Sequence, residues 1–131
     1  MTPYDQLGGE AALRALVTRF YRFMDTLPDA AAIRAMHPAD LATSEEKLFM
    51  FLSGWLGGPS LYIERYGHPF LRKRHLPFAI ATPEADAWML CMRRALADTV
   101  ADAPLRDALE QAFAGMAAHM RNRPDPAGSP V

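Results

Sequence analysis

The chain has a single cysteine, Cys91, among its 131 residues. It therefore cannot close an internal disulfide or offer a thiol pair to zinc or an iron–sulfur cluster, which excludes a disulfide-built secreted module. An excess of either charge is also missing. Lys and Arg number 14 against 15 Asp and Glu, a formal charge of -1, so no general attraction to nucleic acid or anionic membranes is expected and any electrostatic function must be local. No apolar run approaches the roughly 20 residues that a membrane-spanning helix needs. The opening "MTPYDQLGGE" lacks the cationic start and apolar stretch of a signal peptide. The expectation is a soluble cytoplasmic protein with neither nucleic acid nor membrane as partner. Phosphate loops, dinucleotide fingerprints, Gly-x-Ser-x-Gly and histidines paired at i and i+4 are absent too, which removes the common nucleotide, hydrolase and zinc-site readings.

What is present is helical period. From Glu10 to Leu27, Leu13, Leu16, Val17, Phe20, Met24 and Leu27 recur at threes and fours, and Tyr21 falls on the same side. Pro28 stops this helix, and Asp29 is placed to cap a shorter one that ends before His37-Pro38. Thr43 and Glu46 have capping-box spacing ahead of a face carrying Leu48, Phe51, Leu52 and Trp55, which Gly57-Gly58-Pro59 ends. Residues 57–70 contain three glycines and two prolines and read as an irregular loop, with a short helical piece between Leu71 and His75. Thr82-Pro83-Glu84 starts a helix through Trp88, Cys91, Met92 and Leu96, and a last helix runs from Pro104 through Leu109, Phe113, Met116 and Met120. One all-α domain over residues 1–122 is expected, followed by a Pro-rich tail at 123–131 without structure.

Two features point to chemistry. The apolar faces carry Tyr21 and Trp88, whose polar tips want partners when buried. Spacing leaves open whether these tips reach backbone carbonyls or share a site. In "YGHPFLRKRHLPF", His75 ends a basic run and Pro77 restricts the chain behind it. On these residues alone it is either a turn residue or a ligand. A lone histidine suffices to bind haem iron, because the porphyrin supplies four nitrogens, and Arg72, Lys73 or Arg74 beside it suits the propionates. His68 reads as a turn residue and His119 as a surface one.

The segments "YDQLGG", "RFY", "MHPADL", "KLFMFLSGWLGGPSLY", "GHPFLRKRHLPF" and "DAWMLCM" resemble the truncated haemoglobins of the second group, from about Tyr4 to Met120. The resemblance implies a two-over-two helical sandwich with a minimal first helix and non-covalent b-type haem. It matches His75 to the proximal iron ligand, Tyr21 to the distal tyrosine and Trp88 to the pocket tryptophan. His37 falls where related chains have Tyr, Phe or His facing the haem, and Ser44 where larger globins have the distal histidine. Leu48 and Phe51 are placed over the haem, and Lys47, Leu52, Tyr62, Arg72, Arg74, Phe78 and Met92 are expected to contact it. One departure is Ala85, where the family often has Arg before Asp86.

The resemblance implies reversible binding of O2, CO or NO at iron on His75, with Tyr21, Trp88 and His37 as distal donors. Each hydrogen bond to a charged acceptor is worth roughly 1.5–3 kcal/mol, so retention suits chemistry or sensing better than bulk transport. A second reading is NO dioxygenation or peroxidase-like turnover. It requires an external reductase, since the chain has no flavin or nicotinamide motif. A third is a haem-free helical interaction module using residues 57–70. A monomer and a homodimer are both compatible with the sequence.

Overall fold

The Thr2 hydroxyl accepts the Asp5 N–H at 3.2 Å and the Asp5 carboxylate accepts the Thr2 N–H at 3.3 Å. This reciprocal cap starts α1 (Pro3–Leu7), the minimal first helix. The computed structural model describes residues 1–124. Next comes α2 (Gly9–Thr26), burying Leu13, Leu16, Val17, Phe20, Tyr21 and Met24 on the side that the spacing marks. Pro28 ends it through a 3-10 turn, Pro28–Ala30, that leads into α3 (Ala31–Ala35). Asp29 lies inside that turn and makes no side-chain cap, because α3 begins one residue later than the sequence pattern implies.

Helix α4 (Ala42–Trp55) also starts differently from the expected Thr43–Glu46 box. Asp40 takes the Ala42 N–H at 2.9 Å, while Glu46 pairs bidentately with Arg14 at 2.6 and 3.2 Å, tying α4 to α2. A carboxylate facing a guanidinium has a stronger partner there than a backbone amide. Trp55 leaves the apolar stripe and is 39% exposed, its ring stacked on Phe113 at 5.3 Å. After α4 the chain reverses. Ser53, fully buried, donates to the Pro59 carbonyl at 2.7 Å, and Gly57 sits at φ 95°, a conformation that favours glycine.

The expected loop at 57–70 contains a helix, α5 (Leu61–Tyr66), which buries Tyr62 edge-on to Phe51 at 6.4 Å. Six residues give too few repeats for periodicity to announce. Then α6 (Leu71–His75) forms where a short helical piece is expected. His68 takes the Phe70 N–H on its Nδ1 at 3.0 Å, which fits a turn residue.

The long helices α7 (Thr82–Thr99) and α8 (Ala103–His119) complete the fold. Glu84 accepts the Ala81 N–H at 2.8 Å, and Asp102 caps α8 through the Leu105 N–H at 3.3 Å. Helix α2 packs on α4 and α7, and α7 packs on α8, giving the two-over-two sandwich around Phe20, Leu13, Leu16, Leu96 and Phe113. There is no strand among the described residues, and no helix among them is long and apolar enough to cross a membrane. The expected unstructured tail lies mostly outside the described residues. Its first residue, Arg123, still donates its N–H to Ile80 at 3.1 Å.

Candidate functional site

A cavity of about 560 Å³ opens between α2, α3, α4, α5, α6, α7 and α8. Tyr21, His37, Ser44, Lys47, Leu48, Phe51, Tyr62, Arg74, His75, Phe78 and Trp88 all line it. These are eleven of the fourteen residues that the resemblance marks, drawn from segments far apart in sequence.

On α4, Ser44, Lys47, Leu48 and Phe51 recur at i, i+3, i+4 and i+7, one stripe of a 3.6-residue helix. Leu52 sits at the edge of that stripe and does not line the cavity. It is fully buried in the main core. Met92 lies one turn beyond Trp88 on α7 and is likewise closed inside the core. Arg72 is also separate. On α6, Leu71 and His75 share the cavity face, and Arg72 turns instead to the Arg121 carbonyl at 3.4 Å, beside Arg123 in an open cleft. The cavity is completed by residues that sequence reasoning assigned to no site, among them Ile33, Met36, Met116 and Met120. Met116 and Met120 were legible only as an apolar stripe, which does not distinguish core from cavity wall.

His75 carries its Nδ1 2.6 Å from the Leu71 carbonyl. A carbonyl can only accept, so the proton resides on Nδ1 and the Nε2 lone pair is left for a ligand bond. His37 is set in the same way, with Nδ1 2.8 Å from the Ile33 carbonyl. In that tautomer its Nε2 is an acceptor, so a neutral His37 does not donate from Nε2 into the cavity.

Tyr21 is 7% exposed and donates its hydroxyl proton to the Ser44 carbonyl at 3.2 Å. Burial, helped by the Glu45 charge, raises its pKa well above that of an open tyrosine, so it stays a neutral donor. Its ring stands edge-on to His37 at 6.0 Å and to Phe20 at 5.0 Å. Trp88 is held by Phe20 at 5.0 Å and Phe113 at 6.1 Å. Its indole N–H makes no hydrogen bond among the described residues, and it is not among buried side-chain atoms left without a partner. The donor is thus open rather than sealed in the core.

No cluster of three metal-ligating side chains occurs among the described residues. An iron held by His75 would therefore need its other ligands from a macrocycle. The donor set suits haem: one imidazole with a free lone pair, apolar walls, and Lys47 and Arg74 exposed among the lining residues. Neither cation has a carboxylate partner among the described residues.

A sequence model of the bacterial-like globin family matches residues 2–122. The group 2 truncated hemoglobin YjbI of Bacillus subtilis (strain 168) is 39% identical over 121 residues, 92% of this chain and 89% of that protein. The chain belongs to the group II truncated haemoglobins. Among solved structures, this truncated haemoglobin is similar to the group II 2-on-2 hemoglobin of Agrobacterium tumefaciens, with TM-score 0.90 and 49% identity over 93% of this chain and 95% of that one. It is also similar to the truncated oxygen-avid haemoglobin of Bacillus subtilis, with TM-score 0.85 and 38% identity over 93% and 100% of the two chains. Membership makes it a haem-binding globin.

Proposed function

We propose that this truncated haemoglobin holds b-type haem through His75 and retains O2 against the indole of Trp88 and the hydroxyl of Tyr21. The observation that carries the reading is one cavity lined both by an imidazole whose Nδ1 is committed to a carbonyl and by two neutral donors from other helices. When bound, haem supplies an iron centre able to take up O2, CO or NO.

His75 presents Nε2 as the protein's ligand, with its ring fixed by the Leu71 carbonyl. Lys47 and Arg74, exposed among the lining residues, would pair with the propionates. Leu48, Phe51, Ile33 and Met116 keep water from the apolar faces. Trp88, lining the same cavity, would offer its N–H to the negative end of a bound diatomic ligand. Tyr21 would do so only by giving up the Ser44 carbonyl, an exchange of a neutral hydrogen bond for a charge-assisted one. His37 orients Tyr21 by ring contact rather than donating itself.

Similarity to a relative described as oxygen-avid supports tight retention, which suits O2 chemistry or sensing rather than bulk transport. Absorption spectra of the ferric, ferrous and CO-bound forms, compared with His75→Gly, test the reading. The expected result is a Soret band in the native protein that shifts on CO binding, and loss of the native ligation signature in the variant. Absence of a Soret band after haemin is added to the purified chain, or an unchanged spectrum in the variant, would overturn it.

A further inference from the structure

The segment after α8 reaches back to the chain on either side of Pro77. Asn122 donates from Nδ2 to the His75 carbonyl at 3.0 Å and accepts the Ile80 N–H on Oδ1 at 3.0 Å. Its own N–H, and that of Arg123, go to the Ile80 carbonyl at 2.8 and 3.1 Å. The orientation of the amide is fixed by its partners, because a carbonyl only accepts and a backbone N–H only donates. One side chain therefore closes both ends of the Leu76–Ala79 turn, which is otherwise held by the Phe78 N–H on the His75 carbonyl at 3.0 Å.

We propose that Asn122 is a positioning residue for the iron ligand: it fixes the backbone of His75 from outside the cavity and thereby sets the tilt of the imidazole. The proposal rests on His75 ligating haem. The two constraints on His75 are of different kinds. Leu71 holds the ring at Nδ1, whereas Asn122 holds the main chain from which the ring hangs. Leu76, beside His75 in the turn and outside the cavity lining, is 42% exposed and gives the turn little packing of its own, so the amide bonds contribute to the constraint. Helix α6 is only five residues long and adds no stiffness beyond one turn.

Two variants separate the arms of the amide. Asn122→Ala removes both bonds. Asn122→Asp keeps an oxygen for the Ile80 N–H but loses the donor to His75. Resonance Raman of the ferrous, ligand-free protein reads the iron–histidine stretch. Haemin transfer to an apo-acceptor reads retention, and amide hydrogen exchange reads the turn. The expected result is a shifted or broadened iron–histidine band in both variants and haemin loss faster by about 2- to 10-fold, the effect of one lost hydrogen bond. Protection of the Ile80 amide should be lost in the alanine variant and kept in the aspartate variant. Removing residues 125–131 should leave the band unchanged. A purely stabilising role would lower the melting temperature without moving the band. If the alanine variant does not fold, the aspartate variant carries the test. An unmoved band in folded Asn122→Asp, alongside a normal native band, overturns the proposal alone; a native band that survives His75→Gly overturns the ligand assignment beneath it.

Discussion

The Tyr21 hydroxyl donates to the backbone carbonyl of Ser44 at 3.2 Å. The buried phenol is thus engaged before any ligand arrives, whereas the Trp88 indole has no partner among the described residues. The two donors, equivalent in sequence terms, are energetically unequal. Redirecting Tyr21 gains only the difference between a neutral bond of about 0.5–1.5 kcal/mol and a charge-assisted one of about 1.5–3. Trp88 contributes its bond in full.

The first prediction follows from that inequality. Trp88→Phe should speed O2 dissociation by about 10- to 100-fold, and Tyr21→Phe by about 10-fold or less. Stopped-flow displacement of O2 by CO measures both. The reverse order would show that Tyr21 is the dominant donor and that its bond to Ser44 is of no consequence.

His37 gives the second. With Nδ1 committed to Ile33, its effect on the ligand passes through the Tyr21 ring, which stands edge-on to it at 6.0 Å. His37→Phe preserves an aromatic edge and should change O2 release by less than about threefold, within one weak contact. His37→Ala should cost more, and should cost nothing further once Tyr21 is already Phe. A double-mutant cycle on dissociation rates decides it.

These residues also show what the sequence could convey. The inward face of α2 was legible because eighteen residues carry enough repeats to fix a period, and Tyr21 follows from that face. The cavity stripe on α4 was legible in part. Ser44, Leu48 and Phe51 lie within it, but Leu52 is separated from it by a rotation that spacing alone does not resolve. Helix α5 was hidden by its shortness and its flanking glycines. The commitments of donors were not legible at all. Nothing in the spacing distinguishes an Asp40 cap from a Thr43 cap, or tells that Glu46 pairs with Arg14, since each depends on a partner brought close only by the tertiary fold. Asn122 belongs to the same kind: as the last residue before a Pro-rich tail it carries no signal in the spacing, and only the path of α8 brings it under His75.

A third prediction concerns the chain reversal after α4. A Cβ on Gly58 would lie 2.5 Å from Cδ2 and 2.6 Å from Cγ of the Tyr4 ring, closer than carbon atoms tolerate. Tyr4 is itself held by its N–H on the Leu56 carbonyl at 3.0 Å, so ring and turn cannot both keep their places. Gly58→Ala should destabilise by about 1–3 kcal/mol, measured by urea unfolding. The penalty should shrink in a Tyr4→Ala background, where the clash has no second partner. Equal penalties in both backgrounds would place the cost elsewhere in the turn.

Cys91 yields a prediction on pH. Its side chain is fully buried, and that burial, opposed by the nearby Arg94 charge, pushes the thiol up from 9.0 to about 11. The folded state therefore keeps a proton that the unfolded chain releases more readily. Stability from this group is complete below pH 9 and is lost as pH rises from about 9 to 11, by up to about 2–3 kcal/mol at about 1.4 kcal/mol per unit. Tyr21, shifted in the same direction by burial, adds to the loss at still higher pH. Cys91→Ala should be the less stable protein at pH 7, because it leaves a small cavity, yet it should lose less on going from pH 8.5 to 10.5. Urea midpoints for both proteins at the two values measure this. Parallel loss in the two would mean that the thiol does not titrate with folding. Reactivity checks the same burial independently: a thiol reagent at pH 8 should label the native protein at the rate of unfolding rather than at the rate of an open thiolate.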